Sequence, residues 1–318
     1  MTSKLEVIGL GALNQDLIYQ VGEILDDGEI TIDEALETPG GSAANTVYAL
    51  AKLGLSAGFV GIVGDDEAGR SLIRDFQSVG VDTSQILITQ AAPTGQVLAF
   101  CNREGRRSLY VLPGANSLLT KADIPLSYLN RAQLLHLSSF AGKHQLQSMI
   151  ELVQEVDPRI KISLSPGSLF SSWGLSALEP LIRKATILFL NREEVERLTG
   201  QDFKAGARSC LGLGCSMAVI TLGADRQGAC CYVLSGHGEW MVEAKRSQKR
   251  EIVDAIGAGD AFAAGFLYGF LKKKRPQACG LLGDITARFS VSARGARAGL
   301  PSLDQLAGEY QARTGHRL

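Results

Sequence analysis

Two carboxylates and a turn with almost no side chain stand together in Asp254-Ala-Ile-Gly-Ala-Gly-Asp260. The segment that follows, Ala261 to Leu271, is nearly all apolar and predicts a buried helix. A glycine turn feeding a helix start leaves backbone N–H groups unpaired, with about half a positive charge of helix dipole behind them. Phosphate is the common occupant of such a place. A carboxylate at that helix start would repel phosphate unless it has work to do, and the obvious work is to take a proton from a hydroxyl attacking the phosphorus. Asp254 closes the β-branched run Ile252-Val253 and predicts a strand or its exit. Read alone, Gly257-Ala258-Gly259 is equally a tight turn and Asp260 a helix N-cap, so the rest of the chain must decide.

Composition narrows the partners. The formal net charge of −1 over 318 residues argues against nucleic acid or an anionic membrane surface as the main partner. No window approaches the ~20 apolar residues of a membrane span, and the N-terminus lacks the apolar core of a leader. The cysteines, at 101, 210, 215, 230, 231 and 279, lack C-x-x-C spacing. They are expected to be reduced, mostly buried thiols of a cytoplasmic protein, not a zinc site.

The elements that must position the chemistry alternate strand and helix. Leu5–Leu10 predicts a strand, in and just after which Gly9 and Gly11 invite a dinucleotide fingerprint. The third glycine position is Asn14 and no helix follows, so Asn14 and Asp16 read as polar groups at the carboxyl edge of a sheet. Leu17–Val21 and Glu29–Ile32 predict a small β excursion turning at Asp26-Asp-Gly28. Gly40-Gly41 turns into a helix over Ala43–Leu53, stopped by Gly54. Strands follow at 59–63, 134–137, 160–164, 187–190 and 217–221, with helices at 68–79, 144–156, 175–183 and 193–198. A second excursion, the hairpin Gln96–Cys101 and Ser108–Leu112, interrupts them. Strands at 228–234 and 240–244, then helices at 276–293 and 302–313, close the chain. Repeated strand–helix units imply a mostly parallel sheet covered on both faces. Residues 1–318 read as one domain, with a β lid from about 15–38 and about 94–113 that would exclude water.

With these elements in place, the chain resembles the ribokinase-like (PfkB) carbohydrate kinases along essentially its whole length. Gly40-Gly-Ser-Ala-Ala-Asn45 before a helix and Gly54 is similar to that family's N-terminal signature, and Asp254–Asp260 to its C-terminal one. Asn191-Arg-Glu-Glu194 fits its Asn-x-x-Glu element, Thr221-Leu-Gly223 its nucleotide-side turn, and Pro113-Gly-Ala-Asn116 a segment common after the lid hairpin. The resemblance implies a three-layer α/β/α fold with a small β-sheet lid, ATP and Mg2+ as cofactors, and a small sugar or nucleoside as partner. It implies Asp260 as catalytic base and Gly257, Ala258 and Gly259 as anion hole. It places Asn14, Asp16, Gly41, Ser42, Asn45 and Ser139 on the acceptor, and Asn191, Glu194, Thr221 and Gly223 on nucleotide and magnesium. Potassium is a further candidate, at Asp254, Ile256, Ser290, Ala293 and Gly295, although Gly299 stands where ribokinases carry Ser. A homodimer through the lid is a further implication.

Substrate identity is less determined. Ser42 and Ser139 replace the Lys and Glu of true ribokinases, which counts against free ribose. The chain is expected to phosphorylate a primary hydroxyl of a small sugar or sugar derivative. The alternatives are a nucleoside kinase, with Phe100, Tyr110, Leu112 or Phe140 lining a slot for the base, and an inactive binding homologue. Arg103, Arg106 and Arg107 on the lid turn could meet a substrate phosphate but are expected to be solvated. His136 and His144 are expected to be structural, since Asp260 fills the role of base.

Overall fold

The computed structural model describes residues 4–102, 104, 106–223, 228–243 and 251–318. Its strands are β1 (Leu5–Leu10), β2 (Asn14–Val21), β3 (Ile32–Gly40), β4 (Ala57–Gly64), β5 (Asp82–Thr89), β6 (Gly95–Asn102), β7 (Arg107–Leu112), β8 (Ala132–Ser138), β9 (Lys161–Ser165), β10 (Ile187–Asn191), β11 (Met217–Thr221), β12 (Ala229–Ser235) and β13 (Gly238–Glu243). Its α-helices are α1 (Ser42–Lys52), α2 (Glu67–Ser78), α3 (Leu126–Leu129), α4 (Lys143–Glu155), α5 (Gly167–Ser171), α6 (Leu175–Lys184), α7 (Arg192–Thr199), α8 (Phe203–Gly212), α9 (Ala258–Leu271), α10 (Pro276–Ser290) and α11 (Leu303–Thr314).

Apolar runs buried on both faces dictate the layering, because successive strand residues point to opposite sides. Ile8, Leu10, Val60, Ile62, Leu135, Leu137, Leu188 and Leu190 face one core, shared with α4, α6, α7 and α8. Val7, Phe59, Val63, Leu134, Ile187, Phe189 and Val219 face the other, shared with α1, α2, α9, α10 and α11. Between these layers lies a nine-stranded sheet of order β13-β12-β11-β10-β9-β8-β1-β4-β5. From β11 to β5 every pair is parallel, and β12 and β13 add an antiparallel edge.

A separate four-stranded sheet, β3-β2-β6-β7, forms the lid. The chain enters it from β1 through only Gly11, Ala12 and Leu13, and leaves it from β3 into α1 through Gly41. Asn14 is flanked in register by Gly40 on one side and Gly95 on the other. Val97, Ala99, Leu109 and Val111 line the cavity beneath the lid. Its aromatic residues lie on the far face, where Phe100 stacks on Tyr19 at 5.3 Å and meets Tyr110 edge-on at 5.9 Å.

Several elements depart from the sequence expectation. β3 spans Ile32–Gly40, not residues 29–32, because the pairing partner of β2 is the solvent-exposed run that ends at the glycines. β5 and α8 were not expected. Residues 252–254 are not a strand: Ile252 and Val253 are exposed, and the amides of Val253 and Asp254 both donate to the Val291 carbonyl. α10 ends at Ser290. The last predicted residue of β13, Ala244, lies outside the described residues.

Candidate active site

The start of α9 is built from two glycines with different reasons to be glycine. Gly257 caps the helix in the left-handed region, at φ 75°. A Cβ there would lie 2.4 Å from that of Ala296, whereas one on Gly259 would meet nothing within 4 Å. The first glycine is demanded by the turn, and the second leaves open space in front of the helix. Ala258 N–H makes only a 3.3 Å turn bond to Ala255, and Ala261 N–H reaches Gly257. The amides of Gly259 and Asp260 between them are helix-start donors without a helical partner, the material of an anion site.

Asp260 is the third residue of this helix, not its cap, so its carboxylate is free for other contacts. Oδ1 accepts from Ser42 Oγ at 2.6 Å and Oδ2 from Asn45 Nδ2 at 2.9 Å. Thr46 Oγ1 donates to its carbonyl at 3.3 Å. The Gly-Gly-Ser-Ala-Ala-Asn helix start therefore grips the carboxylate of the other signature. Surrounding protein desolvates the carboxylate and pushes its pKa up, while Ser42, Asn45 and the charges of Arg297 and Arg107 pull it back.

Asp16 is buried against Gly40, where any Cβ would come within 2.0 Å of its carboxylate. Its Oδ1 has no partner, and burial raises its pKa to about 7, with Arg297 opposing and Asp260 adding to the shift. Asn14 is held by Asn116, whose Nδ2 donates to Asn14 Oδ1 and to the Leu13 carbonyl, both at 2.9 Å. Asn116 was noted in the sequence only as part of a familiar segment. Its function is to fix the chain where it turns into the lid.

Asn191 and Glu194 form a reciprocal capping box on α7: Asn191 Oδ1 accepts from the Glu194 amide at 2.7 Å and Glu194 Oε2 from the Asn191 amide at 2.9 Å. Burial, then the nearby charge of Asp260, raises the Glu194 pKa. One cavity of about 880 Å³, at the carboxyl ends of β1, β8, β10 and β11, gathers the candidate residues. Asn14, Asp16, Gly41, Ser42, Asn45, Ser139, Asn191, Glu194, Thr221, Gly223 and the Gly257–Asp260 turn all line it.

Of the five candidates for a monovalent cation, only Ile256 lines this cavity. Asp254 instead staples the adjoining loop, its two oxygens accepting from the amides of Ile256 and Gly295, each at 2.9 Å. A side chain at 299 has no room, since a Cβ would fall 2.6 Å from the Ser290 carbonyl oxygen.

The other expectations have mixed outcomes. Arg107 is exposed, as expected of a solvated turn charge, but it also lines the cavity, and its charge lowers the Asp260 pKa. Arg106 is exposed and pairs with Glu104 at 3.7 Å, and Arg103 lies outside the described residues. Of the four candidates for a base slot, Phe140 lines the cavity, while Phe100, Tyr110 and Leu112 do not. His136 is fully buried, bonded to Ser163 at 2.6 Å and held neutral with a pKa pressed to about 3. All six cysteines are free, and Cys101 alone is not buried. No helix among the described residues is long and apolar enough to cross a membrane. Arg297 is the residue missed in the sequence. Its signal was a cation set among small residues, Gly295-Ala-Arg-Ala-Gly299, where solvation is hard to arrange.

The family model of the pfkB carbohydrate kinases matches residues 4–303. An uncharacterized sugar kinase of Archaeoglobus fulgidus is 34% identical over 252 residues, covering 79% of this chain and 98% of its own. Aminoimidazole riboside kinase of Salmonella typhimurium is 30% identical over 294 residues, covering 85% and 87%. In structure, ribokinase of Thermotoga maritima superposes with a TM-score of 0.83 at 22% identity, covering 96% and 99% of the two chains. The chain belongs to the pfkB family of carbohydrate kinases, and within it is a sugar or nucleoside kinase.

Proposed function

We propose that this kinase transfers the γ-phosphoryl group of ATP to a primary hydroxyl of a small sugar or sugar derivative, with Asp260 as base. The observation that carries this reading is the Asp260 carboxylate, held by Ser42 and Asn45 beside the open helix start of α9. As the acceptor oxygen bonds to phosphorus and ADP departs, the hydroxyl proton passes to Asp260. The Gly257–Gly259 turn, through the open amides of Gly259 and Asp260, stabilises the charge on the transferred group. The orphan oxygen of Asp16, together with Asn14, suits acceptor hydroxyls, and Ser139 lines the same cavity. Thr221 and Gly223 line the nucleotide side.

A divalent cation fits beside Glu194, a carboxylate whose charge is disfavoured by burial and by Asp260. Glu194 and Asn191 would hold the water shell of magnesium, which neutralises phosphate charge when bound. Both oxygens of Asp254 already accept from backbone amides, those of Ile256 and Gly295.

Asp260→Asn keeps the shape and removes the base. Turnover is expected to fall by ~10² to 10⁴; a variant within about tenfold of wild type defeats the assignment. A nucleoside acceptor is supported by the apolar inner face of the lid, Val97, Ala99, Leu109 and Val111, with Phe140, and by the riboside named for the Salmonella relative. The aromatic residues of the lid stack on its far face and offer no slot, which supports the sugar. Thermal-shift comparison of adenosine with ribose, fructose and 2-keto-3-deoxygluconate separates the two.

A further inference from the structure

Arg297 has no part in the reaction as described, yet its placement is specific. It follows α10 and is 6% exposed. Its guanidinium lies between the rings of Tyr48, at 4.9 Å, and Phe76, at 5.1 Å, and Nη1 pairs with Asp75 of α2. Nε donates to Asn45 Oδ1 at 2.9 Å. A buried guanidinium is costly even when paired, and here Nη2 has no partner. Such a residue is weak support for stability alone.

The consequence lies in Asn45. A guanidinium only donates, so the amide bonded to it must offer its oxygen, and its NH2 group then faces the opposite way. In that direction stands Asp260 Oδ2, at 2.9 Å. A flipped amide would set N–H against N–H on one side and oxygen against carboxylate on the other. We infer that Arg297 is a positioning residue, which locks the orientation of Asn45 and thereby keeps Asp260 ionised and aimed at the acceptor. The inference rests on Asp260 being the base.

Four charged groups act on Asp260 or feel its charge: Arg297, Arg107 from β7, Asp16 from β2 and Glu194 from α7. Of these, Arg297 reaches it through continuous hydrogen bonds. Removing Arg297 removes a nearby cation and frees the amide to flip, and both effects favour protonated Asp260.

The test uses the full chain with ATP and the panel compound that turns over fastest. Arg297→Met, without charge or donor, is expected to lower kcat at neutral pH about tenfold. The acid limb of its pH profile should move to higher pH, with KM for ATP unchanged. Arg297→Gln loses the charge but keeps a donor for Asn45, and should recover most of kcat with a smaller displacement of the limb. Equal kcat loss in both variants with an unmoved acid limb overturns the inference, because a purely structural arginine would act that way. If the Met variant does not fold, the Gln variant decides: a limb displaced upward supports the role and an unmoved limb overturns it. Inactive Asp260→Asn with unmoved limbs in the Arg297 variants overturns this inference alone. Near-wild-type turnover of Asp260→Asn overturns both it and the base assignment.

Discussion

Two aspartates share the cavity and are prepared differently. Asp260 has a donor on each oxygen, whereas Asp16 has one oxygen with no partner and a pKa raised from 3.8 to about 7. The folded chain therefore keeps a proton on Asp16 that the unfolded chain releases. The ligand-free enzyme loses stability from this group as pH rises from about 4 to about 7. An acceptor hydroxyl donating to the orphan oxygen favours the carboxylate and lowers that pKa. Acceptor binding is thus expected to release a proton near neutral pH and to tighten as pH rises through it. Calorimetry in buffers of different ionisation enthalpy checks this, and Asp16→Asn should abolish the proton release. Asp16 was legible as an acceptor group, but its missing partner was not, because that depends on Gly40 arriving from another strand.

At the scale of elements, the start of α9 separates folding from function. Gly257→Ala forces a side chain into the left-handed region against Ala296, and should cost about 1–3 kcal/mol. Gly259→Ala enters open space in the first turn, where alanine favours helix by up to about 1 kcal/mol. Its methyl group would occupy the open space where the phosphoryl group is proposed to sit. Thermal denaturation should therefore show the first variant weakened and the second unharmed, while turnover falls in both. The buried helices and two-sided strands were readable because their apolar periods are unbroken. β5 escaped as an edge strand with only Ile86 buried. α8 escaped because Gly206 and Gly212 dilute its apolar face, leaving Ala207 and Cys210 buried with Gly206. The β-branched run before Asp254 predicts a strand, whereas the amides of Val253 and Asp254 both donate to Val291 and the chain there joins no sheet.

For the whole molecule, layer order followed from strand–helix alternation, and the two β excursions were visible as interruptions in it. What joins them into one sheet, the parallel pairing of β2 with β6, crosses a long stretch of chain and leaves no local trace. The outer strand β7 exposes Leu109, Tyr110 and Leu112, an apolar edge open to a second copy. A dimer formed there should dissociate in Tyr110→Asp/Leu112→Lys, read as a fall in sedimenting mass. The short joins between the sheets carry a last consequence. Asn14 lies at the foot of the lid and Asp16 two residues along the same strand, while Asp260 belongs to the main body. Any tilt of the small sheet would change the gap between the residues proposed to grasp an acceptor and the one proposed to deprotonate it. With Asn14 and Asp16 on the acceptor and Asp260 as base, as proposed, the strand would work as a gauge: a molecule would be accepted when it spans the gap, and water, which cannot, would be left unphosphorylated for want of length.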